Sequence, residues 1–237
     1  LVTNKVYPYP EFKAERTASW EAGLNTKLFD NSLSIDLTLY KSNTYNQFFE
    51  QQLSASSIYS SFYLQAGNVE NRGIELSVNY NKEFLNKELN WNSTLTYSRN
   101  VNEIKELVRG YRNPFTGELF DITEVRKGST VLREGGSMSD VVVRGVLLRD
   151  VNGLIEEASQ YKFDKTQEVK LGRSTPDFQM GWRNTLSYKG IDLSFLFNGS
   201  FGGIVLAGTQ PMLDAYGVSK ASADARDNRG VVVNGKK

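Results

Sequence analysis

Five aromatic residues in two polar stretches have the chemistry of a binding surface: Tyr59, Phe62 and Tyr63 in one, Tyr111 and Phe115 in the other. A flat ring offers its face to an apolar C–H surface, such as one side of a sugar, while neighbouring arginine and asparagine satisfy hydroxyl groups. Packing of one loop on another accounts for the same rings and stands as the alternative. Three charged residues, Glu75, Asp36 and Arg183, fall on the polar side of alternating segments, where they suit either a solute path or a network of salt bridges. Asp150-Val151-Asn152-Gly153 opens like a calcium loop, but the later ligands of such a loop are missing, so a plain turn is expected.

Catalysis finds little to work with. The 237 residues include no histidine and no cysteine, which removes imidazole acid–base chemistry, Ser-His-Asp triads, thiolate metal sites and disulfides together. No GxSxG, Walker A or GxGxxG motif occurs. The reading is therefore not an enzyme, with no metal and no cofactor. Lys plus Arg is 28 against 27 for Asp plus Glu, and a net charge of +1 gives no reason to expect nucleic acid.

The elements that must hold these residues are strands. From Ala66 to Phe84, a Gly- and Asn-rich lead gives way to Ile74, Leu76, Val78 and Tyr80, alternating with Glu75, Ser77, Asn79 and Asn81. Such alternation is a strand with a different surrounding on each side. Five other segments repeat it, and short turns join the six into hairpins over about 17–42, 73–98 and 177–200. Long connections lie over about 43–68, 101–175 and 203–237. Within the second, 141–148 suits short strands; within the third, Lys220–Arg226 suits two helical turns. The first residues, Leu1 to Asn4, lack the basic start and apolar core of a signal peptide, and a segment of a longer chain is expected.

Alternation alone fits both a soluble β-sandwich and a membrane barrel. The runs last about 9–13 residues, closer to the ~9–11 of a membrane strand than to the ~5–6 of a globular one. Very short turns alternate with very long loops. Aromatics gather near strand ends: Phe29, Trp91 and Tyr188 by the short turns, and Trp20, Tyr40, Tyr97 and Phe178 toward the long loops. The expected fold is all-β, an antiparallel transmembrane β-barrel present as a partial wall of about six long strands with long extracellular loops. Six strands with so polar an inner face do not close into a filled small barrel, so further strands are implied.

At Gly67-Asn68-Val69-Glu70-Asn71-Arg72-Gly73-Ile74-Glu75 the sequence resembles the SusC/RagA-type TonB-dependent outer-membrane transporters of the Bacteroidetes. The resemblance extends through Glu15-Arg16-Thr17, Trp20-Glu21-Ala22-Gly23, Leu39-Tyr40-Lys41, Pro176-Asp177-Phe178, Tyr188-Lys189-Gly190, Gly199–Gly203 and Gly230–Gly235. Ala14 stands where proline is common in that family, and the stretch from Ser137 to Gly145 departs from its pattern. The resemblance implies the C-terminal part of a barrel of about 22 strands around an N-terminal plug. It further implies a Gram-negative outer-membrane location and import of oligosaccharides, or of peptides in some members. The partners it implies are a SusD-like surface lipoprotein, the TonB–ExbB–ExbD complex acting through N-terminal parts, and outer-membrane lipid. The plug and the final strands would lie outside this chain, and Glu75, Asp36 and Arg183 would then join a lumen-wide salt-bridge network or contact the plug. The Asn68–Glu75 segment is expected to be structural, its glycines and amides shaping a loop as it enters a strand. A soluble or cell-surface β-domain that binds glycan, and a passive porin, are the alternatives.

Overall fold

The structure is a computed structural model that describes residues 6–7, 13–52, 58–112, 117–127, 130–155 and 163–231. Its strands are β1 (Val6–Tyr7), β2 (Arg16–Leu28), β3 (Leu33–Gln52), β4 (Ser61–Phe84), β5 (Leu89–Glu106), β6 (Val108–Arg112), β7 (Leu119–Ile122), β8 (Glu124–Lys127), β9 (Thr130–Arg133), β10 (Asp140–Leu147), β11 (Phe163–Arg173), β12 (Phe178–Tyr188) and β13 (Ile191–Phe201). Two helices follow, α1 (Thr209–Ala215) and α2 (Lys220–Asp227). The chain divides into two units, Leu1–Val141 with Arg173–Gly203, and Val142–Gly172 with Ile204–Lys237.

The first unit is built on an antiparallel wall in the order β13-β12-β5-β4-β3-β2. Its registers carry the alternation of single strands across all six. Thr26, Ile35, Val78, Leu95, Trp182 and Phe197 form one cross-strand row, and Asn25, Asp36, Ser77, Thr96, Gly181 and Asn198 form the row beside it on the opposite face. A one-residue slip in any strand would put an apolar side chain into the polar face, so the pattern fixes the register. The apolar face is bare: Trp20 is 59% exposed and Phe197 62%. The turns explain the hairpins. Phe29, Asp30 and Asn31 have φ of 54°, 52° and 65°, and Leu85, Asn86 and Lys87 repeat this with 53°, 52° and 73°. Lys189-Gly190, at 49° and 84°, is a two-residue turn whose twist matches that of its strands.

On the apolar face, two indoles are tied to polar partners. Trp91 Nε1 donates to Asn184 Oδ1 at 3.0 Å and Trp182 Nε1 donates to Ser93 Oγ at 3.0 Å, while Asn184 and Ser93 lie directly opposite each other. Asn184 is buried and its Nδ2 has no hydrogen-bond partner. Asn184→Ala is expected to destabilise by about 1–3 kcal/mol, because Trp91 loses its acceptor in an apolar setting. The midpoint of urea unfolding in detergent measures this; an unchanged midpoint would show the bond to be dispensable.

The 43–68 stretch, expected to be a loop, is strand over most of its described length. β3 and β4 continue pairing from Thr44↔Val69 to Gln52↔Ser61, forming an arm beyond the two-faced wall. The alternation fades there because the arm's faces meet packed protein and water rather than two contrasting surroundings. The 101–175 stretch is also largely structured: β5 runs on to Glu106, and β6 to β11 follow, with β10 where short strands are expected. Leu107, Val108, Val125 and Leu132 from this connection bury themselves against Phe49, Leu64, Val69 and Ile104, giving the arm its own apolar core.

In the second unit, α2 covers the expected helical segment, and α1 was not anticipated because seven residues are too few for a periodic signal. Ser219 caps α2, its Oγ accepting from Ser222 N–H at 3.0 Å, and Arg226 donates back to the carbonyl of Gly217.

Candidate functional site

The signature Gly67–Glu75 lies within β4, not in a loop descending to it, and nearly every residue in it has a physical task. At Gly73 an added Cβ would sit 2.5 Å from the Tyr40 ring and closer still to the Arg99 carbonyl oxygen. Tyr40 is Gly73's direct cross-strand partner and lies over it. That places Tyr40 on the polar face rather than in an aromatic girdle. Gly67 donates its N–H to the Leu107 carbonyl, and a Cβ there would come within 2.7 Å of that oxygen. Both glycines are present because backbone and ring approach closely.

Asn71 anchors a polar network. Its Oδ1 accepts from Asn100 Nδ2 at 3.2 Å and from Asn102 Nδ2 at 3.0 Å, and Tyr40 donates its hydroxyl to Asn100 Oδ1 at 3.2 Å. Asn102 Oδ1 in turn accepts from Met138 N–H at 2.7 Å and from Ser137 Oγ at 3.1 Å. Two backbone bonds of 2.8 Å between Ile104 and Gly135-Gly136 complete the strap. Asn100 and Asn102 were missed by motif reading, although they continue the polar row of Thr96 and Ser98 beyond the turn-proximal half of β5. The strap borders a cavity of ≈ 600 Å³ lined by Asn71, Glu75, Asn100, Asn102, Ser139, Thr175 and Gln179 among others. A second cavity of ≈ 580 Å³ shares Glu75, Ser98 and Gln179 with it. The volumes fall in the range of small-ligand sites.

Glu75, Asp36 and Arg183 form no ion pair among the described residues; Asp36 instead accepts from Asn25 Nδ2 at 3.0 Å. One cluster of ion pairs lies on the opposite face, above the apolar rows. Glu70, only 4% exposed at its side chain, lies 2.9 Å from Lys41, 3.1 Å from Arg72 and 3.9 Å from Lys105. Glu103 adds contacts to Lys105 at 2.7 Å and Arg72 at 3.7 Å. Another pair braces β6 and β7: the Asp121 carboxyl is held below the usual range, first by the Gly110 N–H at 2.8 Å and then by Arg109.

Of the five aromatic candidates, the structure brings two together. Phe62 and Tyr111 have ring centroids 5.9 Å apart and both border the arm's apolar core, while Tyr111 also meets the exposed Phe120 at 5.3 Å. Phe120 extends the aromatic group and had no signal in the sequence beyond being a ring. Tyr63 lies on the other side of the arm, opposite Glu50, and is 40% exposed. Tyr59 packs edge-on against Tyr7 at 5.1 Å. Phe115 lies outside the described residues. Asp150 Oδ1 accepts from the N–H groups of Asn152 and Leu154 at 2.8 and 2.9 Å, which is a turn held by its own carboxylate.

A six-stranded antiparallel wall, apolar on one face and polar on the other, with two-residue to four-residue turns at one end and long connections at the other, is a section of a membrane β-barrel. The model of the family "TonB dependent receptor-like, beta-barrel" matches residues 2–126, more than half of the chain, and the chain belongs to that family. TonB-dependent receptor P3 of Formosa agariphila is 28% identical over 234 residues, covering 90% of this chain and 23% of the relative. TonB-dependent receptor P26 of the same organism is 28% identical over 215 residues, covering 81% and 21%. Among solved structures, a chain of the RagAB peptide transporter matches with a TM-score of 0.60 at 21% identity, over 78% of this chain and 21% of that one. The RagAB peptide importer in its closed-closed state matches at 0.62 and 21% identity, over 80% and 21%. The chain thus spans less than a quarter of the length of the relatives it matches.

Proposed function

We propose that this chain is part of an outer-membrane importer in which TonB drives uptake of a nutrient through the barrel. The carrying observation is the wall whose two faces stay in register across six strands, within a family of TonB-dependent receptor barrels. The apolar face meets lipid and the polar face lines the lumen. The arm, with the strands β6 to β9 that pack on it, shapes the vestibule above, and the wall supplies surface and path rather than a catalytic step. Oligosaccharide is the favoured cargo, supported by the amide and hydroxyl lining of the polar-face cavities; peptide is the second reading, since the RagAB neighbours are a peptide transporter. Exposed Tyr63, with Tyr59, Phe62, Tyr111 and Phe115, supplies the aromatic contacts. A SusD-like surface lipoprotein captures cargo with it, and the TonB–ExbB–ExbD complex supplies the energy.

The test is uptake by cells carrying the full-length protein, measured with labelled oligosaccharides and peptides with and without TonB. Saturable uptake that disappears without TonB is expected, and oligosaccharides should compete with each other for it. Uptake that persists without TonB would instead mark a passive porin. A soluble glycan-binding domain would fold as a monomer without detergent, which this chain is expected not to do.

A further inference from the structure

We infer that the apolar-side face of the wall carries a site for the phosphate of a lipid headgroup, centred on Lys41, Arg72 and Arg99. This inference rests on the reading that this face meets lipid. The registers give the heights. Ala22, Leu39, Ile74 and Arg99 form the last largely apolar row on that face, and the next row outward is Trp20, Lys41, Arg72 and Val101. Hydrophobic surface therefore gives way to cations at one level across adjacent strands, with an indole at the same level.

The charges there do not cancel. Lys41 and Arg72 are directly opposed, an unfavourable pairing of like charges unless something negative lies between them. Glu70 and Glu103, one row further out, partly supply it. Yet those two carboxylates are shared among Lys41, Arg72 and Lys105, and Arg99 has no carboxylate partner among the described residues. Cations exceed anions, and the excess lies at the border with the apolar rows. Arg72 is opposite Val101, so it is diagonal to Arg99, placing the two Cβ atoms within about 7–8 Å of each other. Two guanidinium groups at that separation can grip one phosphate from both sides. Arg72 is 53% exposed at its side chain and Lys41 38%, so the site is open to the surroundings. The apolar rows directly below would receive acyl chains, which is why the occupant is a lipid rather than free phosphate.

Native mass spectrometry of the full-length protein in detergent tests this with a bis-phosphorylated lipid A-type glycolipid, the same glycolipid stripped of phosphate, and inorganic phosphate as competitor. The phosphorylated lipid is expected to bind preferentially. Arg99→Gln, which leaves every Glu70 ion pair intact, should weaken it about fivefold, and the combined Lys41→Gln/Arg72→Gln/Arg99→Gln variant should abolish the preference. Equal binding of the two glycolipids, an unchanged affinity in Arg99→Gln, or displacement by equimolar inorganic phosphate would each overturn the assignment. Lipids with brominated acyl chains separate the underlying reading: they should quench Trp20 and Trp182, judged by the quenching lost in Trp20→Phe and Trp182→Phe. Absent quenching sinks the lipid-facing reading and the site with it; quenching without any phosphate preference sinks the site alone.

Discussion

Gly73→Ala is expected to cost about 3 kcal/mol, at the top of the range for overpacking a close contact. The added methyl would meet the Arg99 carbonyl on one side and the Tyr40 ring at 2.5 Å on the other. A ring can rotate away, but a carbonyl in the β4–β5 ladder moves only if the ladder does. The double variant Gly73→Ala/Tyr40→Ala separates the two contacts: removing the ring should recover part of the loss and leave the carbonyl's share. Urea unfolding of the full-length protein in detergent, followed by circular dichroism, reads both. A wild-type midpoint for Gly73→Ala would mean that the close approach is not a constraint on the barrel. Nearly complete recovery in the double variant would assign the whole cost to the ring.

Glu70→Gln should cost about 2–3 kcal/mol. Breaking a deeply buried ion pair costs ~3–5 kcal/mol, because the surviving charge is left uncompensated. The expectation here is lower because the wall is one layer thick and both Lys41 and Arg72 are partly exposed, so neither charge is left fully buried. Glutamine keeps the shape of the side chain, so the loss reports charge rather than volume. It leaves Lys41 and Arg72 facing each other across the β3–β4 pairing with only Glu103 to offset them. Lys41→Gln in the Glu70→Gln background should therefore restore part of the stability, and a double-mutant cycle isolates that coupling. Strictly additive effects of the two changes would show that they do not share a network.

These two positions bound how far the signature can be read from sequence. Its glycines invite a loop with unusual backbone angles, yet neither Gly67 nor Gly73 has a positive φ; they are small because a carbonyl and a ring from neighbouring strands approach them. Both residue types were visible, but the reason for them lies on Leu107, Arg99 and Tyr40, which are distant in sequence. The aromatic candidates behave similarly. Phe62 and Tyr111 meet only because β4 and β6 belong to one folded arm, while Tyr63, adjacent to Phe62, faces the other way.

What the sequence determined by itself is the wall. Period-two alternation from Leu33 to Tyr40 or from Ile74 to Asn81 is a local property, imposed because each strand separates two different surroundings, and it needs no knowledge of the neighbours. The short turns are local too, written in Asp30-Asn31, Asn86-Lys87 and Lys189-Gly190. Only the tertiary structure decided where the wall stops being two-faced. Beyond Thr44 and Val69 the strands go on pairing, but their side chains pack against Val125 and Leu132 from a connection dozens of residues away. There the surroundings of each residue are made by the fold itself. The same holds for the charges: Glu75, Asp36 and Arg183 looked alike in sequence to Glu70, Lys41 and Arg72, and register alone sorted the second set into one ion-pair cluster at the edge of the apolar rows.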